Sequence, residues 1–205
     1  AAKSIDRNNE WKDNLTLWGR TVETSPESSR ANDNLGFTYE QLGEDEKALA
    51  EFEASVRLMP GNYKALANSG VAYAKLGKYN ESLEALKKSI KIREDYKTYD
   101  KLGLVYAELN EEGKAIEKFG KAIEINGRYA KAHNDLATVY ARQGKFDMAL
   151  QEFNEAIRID RDYADAHYNL GILLDFMGQK DLARKEFEAA YRLEPGNEIY
   201  GKKTK

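Results

Sequence analysis

The sequence contains no cysteine, only three prolines, and no apolar run near the roughly 20 residues that a bilayer-spanning helix needs. The first absence excludes disulfides, thiolate metal sites and cysteine nucleophiles, and leaves the compartment open. Scarce proline, with 33% charged and 41% hydrophobic residues, favours a soluble, helix-rich chain over a sandwich or a disordered one. An excess of one charge is missing too. The balance of 32 Lys+Arg against 35 Asp+Glu gives a net charge of −3, so nothing global points to nucleic acid or an anionic membrane. The opening AAKSIDRNNE has neither an initiator methionine nor an apolar signal core, and reads as a mature form or an excised fragment.

Histidine is nearly absent as well. His133 and His167 sit in near-copies of one phrase, YAKAHNDLA and YADAHYNLG, each with an aspartate nearby, Asp135 and Asp165. They are either a metal or catalytic pair, or one structural position written twice.

What the chain does have is a period. Leu35, Ser69, Leu102, Leu136 and Leu170 are separated by 34, 33, 34 and 34 residues. After each comes a small residue (Gly36, Gly70, Gly103, Ala137, Gly171), then a large one (Tyr39, Tyr73, Tyr106, Tyr140, Leu174). A helix-stop position follows, Gly43, Gly77, Asn110, Gly144 and Gly178, filled by the residue types that best tolerate a left-handed backbone. A second apolar pattern then places Phe52, Leu86, Phe119, Phe153 and Phe187 three residues before Ser55, Ser89, Ala122, Ala156 and Ala190, the spacing of one helix face. Each unit is therefore two helices joined by a tight turn. Such a hairpin buries its apolar face only by stacking on copies of itself.

This pattern resembles the tetratricopeptide repeat: its Leu-Gly-x-x-Tyr, Ala-x-x-x-Phe-x-x-Ala and terminal proline positions recur in phase. The proline survives as Pro60 and Pro195 and is replaced by Glu94, Gly127 and Arg161. The resemblance implies an all-α, right-handed superhelical solenoid of antiparallel helix pairs, with five repeats at 29–62, 63–95, 96–129, 130–163 and 164–197. Residues 1–28 are expected to hold a capping half repeat, one helix with Trp11, Leu15, Trp18 and Val22 on its apolar face, and 198–205 a short tail. Leu182 and Tyr191 would then be partly uncovered, so either the native chain continues or a second copy packs on the C-terminal helices, making a homo-oligomer.

In repeat numbering both histidines fall at position four, shared with Asn32, Leu66 and Tyr99, where the first helix packs on the second. That favours packing over a metal site, for which convergent further ligands are lacking. No triad register and no Gly-rich phosphate loop is present, so no catalytic residue, metal or cofactor is expected, and the chain reads as a non-enzyme.

In this family the first helices line the concave face, so positions two, five, six, nine, twelve and thirteen point into the groove. Position two reads Arg30, Lys64, Lys97, Lys131, Asp165; position six Asn34, Asn68, Lys101, Asp135, Asn169; position nine Phe37, Val71, Leu104, Thr138, Ile172. A primary amide both donates to and accepts from a peptide bond, and cations beside it suit carboxylates. The amide row resembles the asparagine ladder of O-linked N-acetylglucosamine transferases at Asn34, Asn68 and Asn169, interrupted by Lys101 and Asp135. Asn68, Lys97 and Lys101 also match the later part of the carboxylate clamp of co-chaperones, which Asp33 and Phe37 break. Arg30, Asn34, Phe37, Lys64, Asn68, Lys97, Lys101, Lys131, Asn169 and Ile172 are thus the candidate peptide-binding residues.

The function expected is an interaction scaffold for an extended, acidic protein segment, with no nucleic acid and no membrane insertion. Two alternatives stand beside it. One is the homo-oligomeric module; the other follows from RNNEWKDNLTLWGRTVETSPESSRANDNLG, which resembles the junction before the repeat tail of polytopic membrane glycosyltransferase-like proteins.

Overall fold

A computed structural model describes the backbone of residues 2–202 and the side chains of 13–202; Trp11, expected on the capping face, lies outside the described side chains. The described chain is all-α. Its helices are α1 (Ala2–Thr24), α2 (Ser29–Gln41), α3 (Asp45–Leu58), α4 (Tyr63–Lys75), α5 (Tyr79–Ile92), α6 (Tyr96–Glu108), α7 (Glu112–Ile125), α8 (Ala130–Arg142), α9 (Phe146–Ile159), α10 (Ala164–Phe176), α11 (Lys180–Leu193) and the one-turn α12 (Glu198–Gly201). Two compact units divide it, Ala1–Val105 and Tyr106–Lys205, with the boundary inside α6.

Within the first unit α1 packs on α2, α2 pairs with α3, and α4, stacked on α3, pairs with α5. In the second unit α8 pairs with α9 and α10 with α11, the pairs stacking in series through α7–α8 and α9–α10. The turn inside each pair has one cause. Gly43, Gly77, Gly144 and Gly178 hold φ between 72° and 80°, and Asn110 holds 57°. Each left-handed residue lets the next amide donate back to the large residue of the preceding helix: Glu44 to Tyr39 O, Lys78 to Tyr73 O, Glu111 to Tyr106 O, Lys145 to Tyr140 O, Gln179 to Leu174 O. These are Schellman closures, which satisfy helix-end carbonyls that water would otherwise have to reach.

Helix crossings use the small residues that follow the leucine anchors. A Cβ at Gly36 would sit 2.8 Å from the Phe52 ring, one at Gly70 2.6 Å from Leu86 Cγ, and one at Gly171 2.7 Å from the Phe187 ring. The facing side chains of Phe52, Leu86 and Phe187 are buried, as is Phe153 opposite Ala137. Within the α2–α3 and α4–α5 pairs a small polar position of the second helix ties it to the first. Ser55 Oγ lies 2.9 Å from Ser29 Oγ, and Ser89 Oγ donates to Tyr63 O at 2.7 Å.

At the C-terminal end, Tyr200 of α12 is buried against Ala164 and Ala190, with Tyr168 and Leu193 beside it, and its hydroxyl donates to Asp165. Leu182 and Tyr191 are nonetheless exposed.

Candidate functional site: the face of the first helices

Position four is a packing position. His133 Nδ1 lies 2.6 Å from Glu152 Oε2 and its Nε2 3.3 Å from Gly127 O; His167 repeats this with Glu186 at 2.6 Å and Arg161 O at 3.2 Å. Each imidazole thus ties its own hairpin together and pins the loop that enters it. With an acceptor at both nitrogens, the ring is satisfied on both sides only when doubly protonated. Burial opposes the charge on His133, but Glu152, the Gly127 carbonyl and Glu155 outweigh it and its pKa is raised. For His167 the Glu186 hydrogen bond is the largest cause of the same upward shift. Among the described residues no three His, Asp or Glu side chains are grouped to hold a metal ion.

On the first unit, Arg30, Lys64 and Lys97 are exposed and Asn34 and Asn68 half-buried. Lys97 Nζ stands 5.9 Å from the centre of the Tyr96 ring. Lys101 is drawn inward: its Nζ donates to Asn68 Oδ1 at 3.3 Å, and burial lowers its pKa despite Glu40, Asp95 and Asp100 nearby. Asp33 belongs to this group too. Burial raises its carboxyl pKa, against the Asn62 and Asn68 amides and the charges of Lys64 and Lys101. The basic stripe of this unit therefore has an acid set into it. Phe37 and Leu104 remain exposed between these polar side chains.

On the second unit the candidates form a chain. Lys131 Nζ donates to Asp135 Oδ2 at 2.6 Å, Asn134 Nδ2 to Asp135 Oδ1 at 3.0 Å, and Asn169 Nδ2 to Asn134 Oδ1 at 3.0 Å. Lys131 is thus engaged within the protein, unlike the outlying Lys64. Ile172 is 43% exposed and Phe176 73%. Beside them a pocket of about 520 Å³ opens between α8 and α10, with Phe146 and Leu173 in its wall and Arg142, Thr138 and Asn169 among its polar lining. Of the expected site residues only Asn169 and Ile172 meet there. Asp33, Asn134, Arg142 and Phe176 were not among those candidates; they occupy positions five and thirteen, whose periodicity marks them for this face.

Family models of the tetratricopeptide repeat match residues 29–62, 63–96, 103–144, 138–174 and 164–197. No curated protein matches the sequence. Similar solved structures include the Cut9-Hcn1 hetero-tetramer of APC/C, at 17% identity, a TM-score of 0.83 and 96% of this chain covered; the chain spans 39% of that one. TTC0263, a repeat protein of Thermus thermophilus, aligns at 24% identity and a TM-score of 0.79, covering 86% of this chain and 97% of its own. MamA aligns at 27% identity and 0.64, covering 82% and 97%. Proteins with these repeats are generally non-catalytic interaction scaffolds, and no described helix here is long and apolar enough to cross a membrane. With repeat models over most of its length and helix pairs closed by left-handed turns, the chain belongs to the tetratricopeptide repeat family.

Proposed function

We propose that the first-helix faces bind an extended, acidic segment of another protein. The observation that carries this reading is the exposure of Phe37, Leu104, Ile172 and Phe176 on first helices that also present amides and cations. Apolar side chains held in water beside hydrogen-bonding groups suit a ligand that supplies both. Arg30, Lys64 and Lys97 supply the preference for carboxylates in the first unit, and Asn34 and Asn68 read the peptide backbone.

The test is binding of a labelled pool of Glu- and Asp-rich dodecapeptides by fluorescence anisotropy. Lys64→Glu with Asn68→Ala removes one exposed ion pair and one neutral hydrogen bond, about 0.7–2.5 kcal/mol together, or roughly three- to seventy-fold in affinity. Helicity should be unchanged. Equal binding by the variant and the parent would sink the assignment.

A second reading has its own observation: Leu182, Tyr191 and Ile199 are exposed near the C-terminal end, a surface onto which a second copy would pack. Light scattering over a concentration series checks it, and a monomer throughout rejects it.

A further inference from the structure

One position sets the α8–α10 pocket apart from the rest of the face. Position thirteen is Gln41, Lys75, Glu108 and Arg142 in the first four repeats, and Phe176 in the fifth. That one change puts an aromatic ring at the surface, 5.3 Å from the Phe146 ring centre to centre, and closes one side of a concavity otherwise walled by Ile172 and Leu173. An aromatic residue at 73% exposure has lost most of the burial that ordinarily stabilises one.

The polar groups at this pocket define what fits. Asn169 donates one amide N–H to Asn134 Oδ1, which orients the amide, and its own Oδ1 can accept an N–H from a ligand backbone. Arg142 is the cation of the lining, and its contact to Glu112 is loose, 3.8 Å from Nε to Oε1. The acid nearest Asn169 in the network, Asp135, is already satisfied by Lys131 and Asn134. An amide acceptor, an available guanidinium and an aromatic-lined hollow match one ligand chemistry.

We infer that the α8–α10 pocket is a specificity pocket for a bulky apolar side chain, aromatic or branched, carried on an extended peptide with an acidic residue beside it. The side chain enters between Ile172 and Phe176, its backbone N–H donates to Asn169, and the neighbouring carboxylate pairs with Arg142. The inference rests on the first-helix faces being where peptide binds. It adds a second specificity to the charge preference of the first unit: an apolar anchor whose removal costs the ligand about ten- to a hundred-fold in affinity.

Selection of phage-displayed random dodecapeptides on the whole protein tests it, with the selected peptides then measured against two variants. Ile172→Ser with Phe176→Ser removes two exposed side chains, so the fold survives and circular dichroism verifies this. Lys64→Glu with Asn68→Ala reports on the first unit separately. The expected result is a consensus with one bulky apolar position next to Asp or Glu, and a ten- to hundred-fold loss on the serine variant. Arg142→Gln should weaken only the preference for the acidic neighbour. A consensus without an apolar position, or equal binding to the serine variant, overturns the pocket while loss on the Lys64/Asn68 variant keeps the peptide face. Selection no better than background overturns both.

Discussion

Gly171→Ala isolates what the glycine at the helix crossing contributes. A Cβ there would lie 2.7 Å from Phe187 Cδ1 and Cε1 and 3.2 Å from Cζ, while the ring is itself buried among Phe153, Leu170 and Leu174. The ring must move by several tenths of an ångström inside a packed cluster, which costs about 1–3 kcal/mol. Alanine returns about 1 kcal/mol of helix propensity. The net effect is a destabilisation of about 0–2 kcal/mol.

Gly120→Ala is the control. Gly120 lies within α7, is exposed, and a Cβ there meets nothing within 4 Å, so the propensity gain of about 1 kcal/mol stands alone. The two variants should therefore separate by about 1–3 kcal/mol, or several degrees in melting midpoint for a chain of this size. Thermal circular dichroism measures both. Repeat arrays need not melt in two states, so midpoints are compared and not converted. Ala137 occupies the equivalent place opposite Phe153 and shows that the fold has one solution with a methyl group there. Equal stabilisation by both variants would show that Phe187 yields as freely and would refute the close-packing argument.

Three further outcomes are expected. The histidine pKa values are raised by Glu152 and Glu155 around His133, and by Glu186 against Arg192 around His167. Their contribution is therefore full below the unfolded value of about 6.5 and lost as pH rises through the folded values, so the melting midpoint should fall as pH rises above about 6.5. The His133→Asn, His167→Asn double variant should flatten that fall, and parallel curves would contradict it. Ser69→Leu places a leucine where Leu35, Leu102, Leu136 and Leu170 are buried, beside an open pocket of about 310 Å³ lined by Val56, Leu66 and Ala85. It should stabilise by about 1–2 kcal/mol in denaturant titration, and a loss would mean the space is not accessible to it. Asn110→Gly should stabilise by a few tenths of a kcal/mol and Asn110→Ala destabilise by about 1, because φ is 57° there; the reverse order in melting would count against the turn.

The repeat and its fold class were legible because helix stops, crossings and ring positions are written by residue size and backbone permissiveness, which periodicity exposes directly. The Asn at position 110 was readable for the same reason as the glycines around it. The site was legible only in part. Charge and amide content at positions two and six can be read from sequence, but whether a cation is already spent cannot: Lys131 and Lys64 look alike in the repeat alignment, and only one has an aspartate within 2.6 Å. The half-buried acid at Asp33 and the aromatic at Phe176 sat at face positions whose residues carry a signal, an acid among cations and a ring among polar groups. The pocket that Phe176 helps define depends on how α8 and α10 pack, which no single position records.

The most direct measurement is site-specific photocrosslinking to a peptide selected on the whole protein. Benzoylphenylalanine replaces Asn34 or Thr138 on the first helices, or Lys91 or Asn154 on the second. Binding along the first-helix faces requires strong crosslinks from 34 and 138 and only background from 91 and 154. Crosslinks from 91 or 154 equal to or stronger than those from 34 and 138 would contradict it.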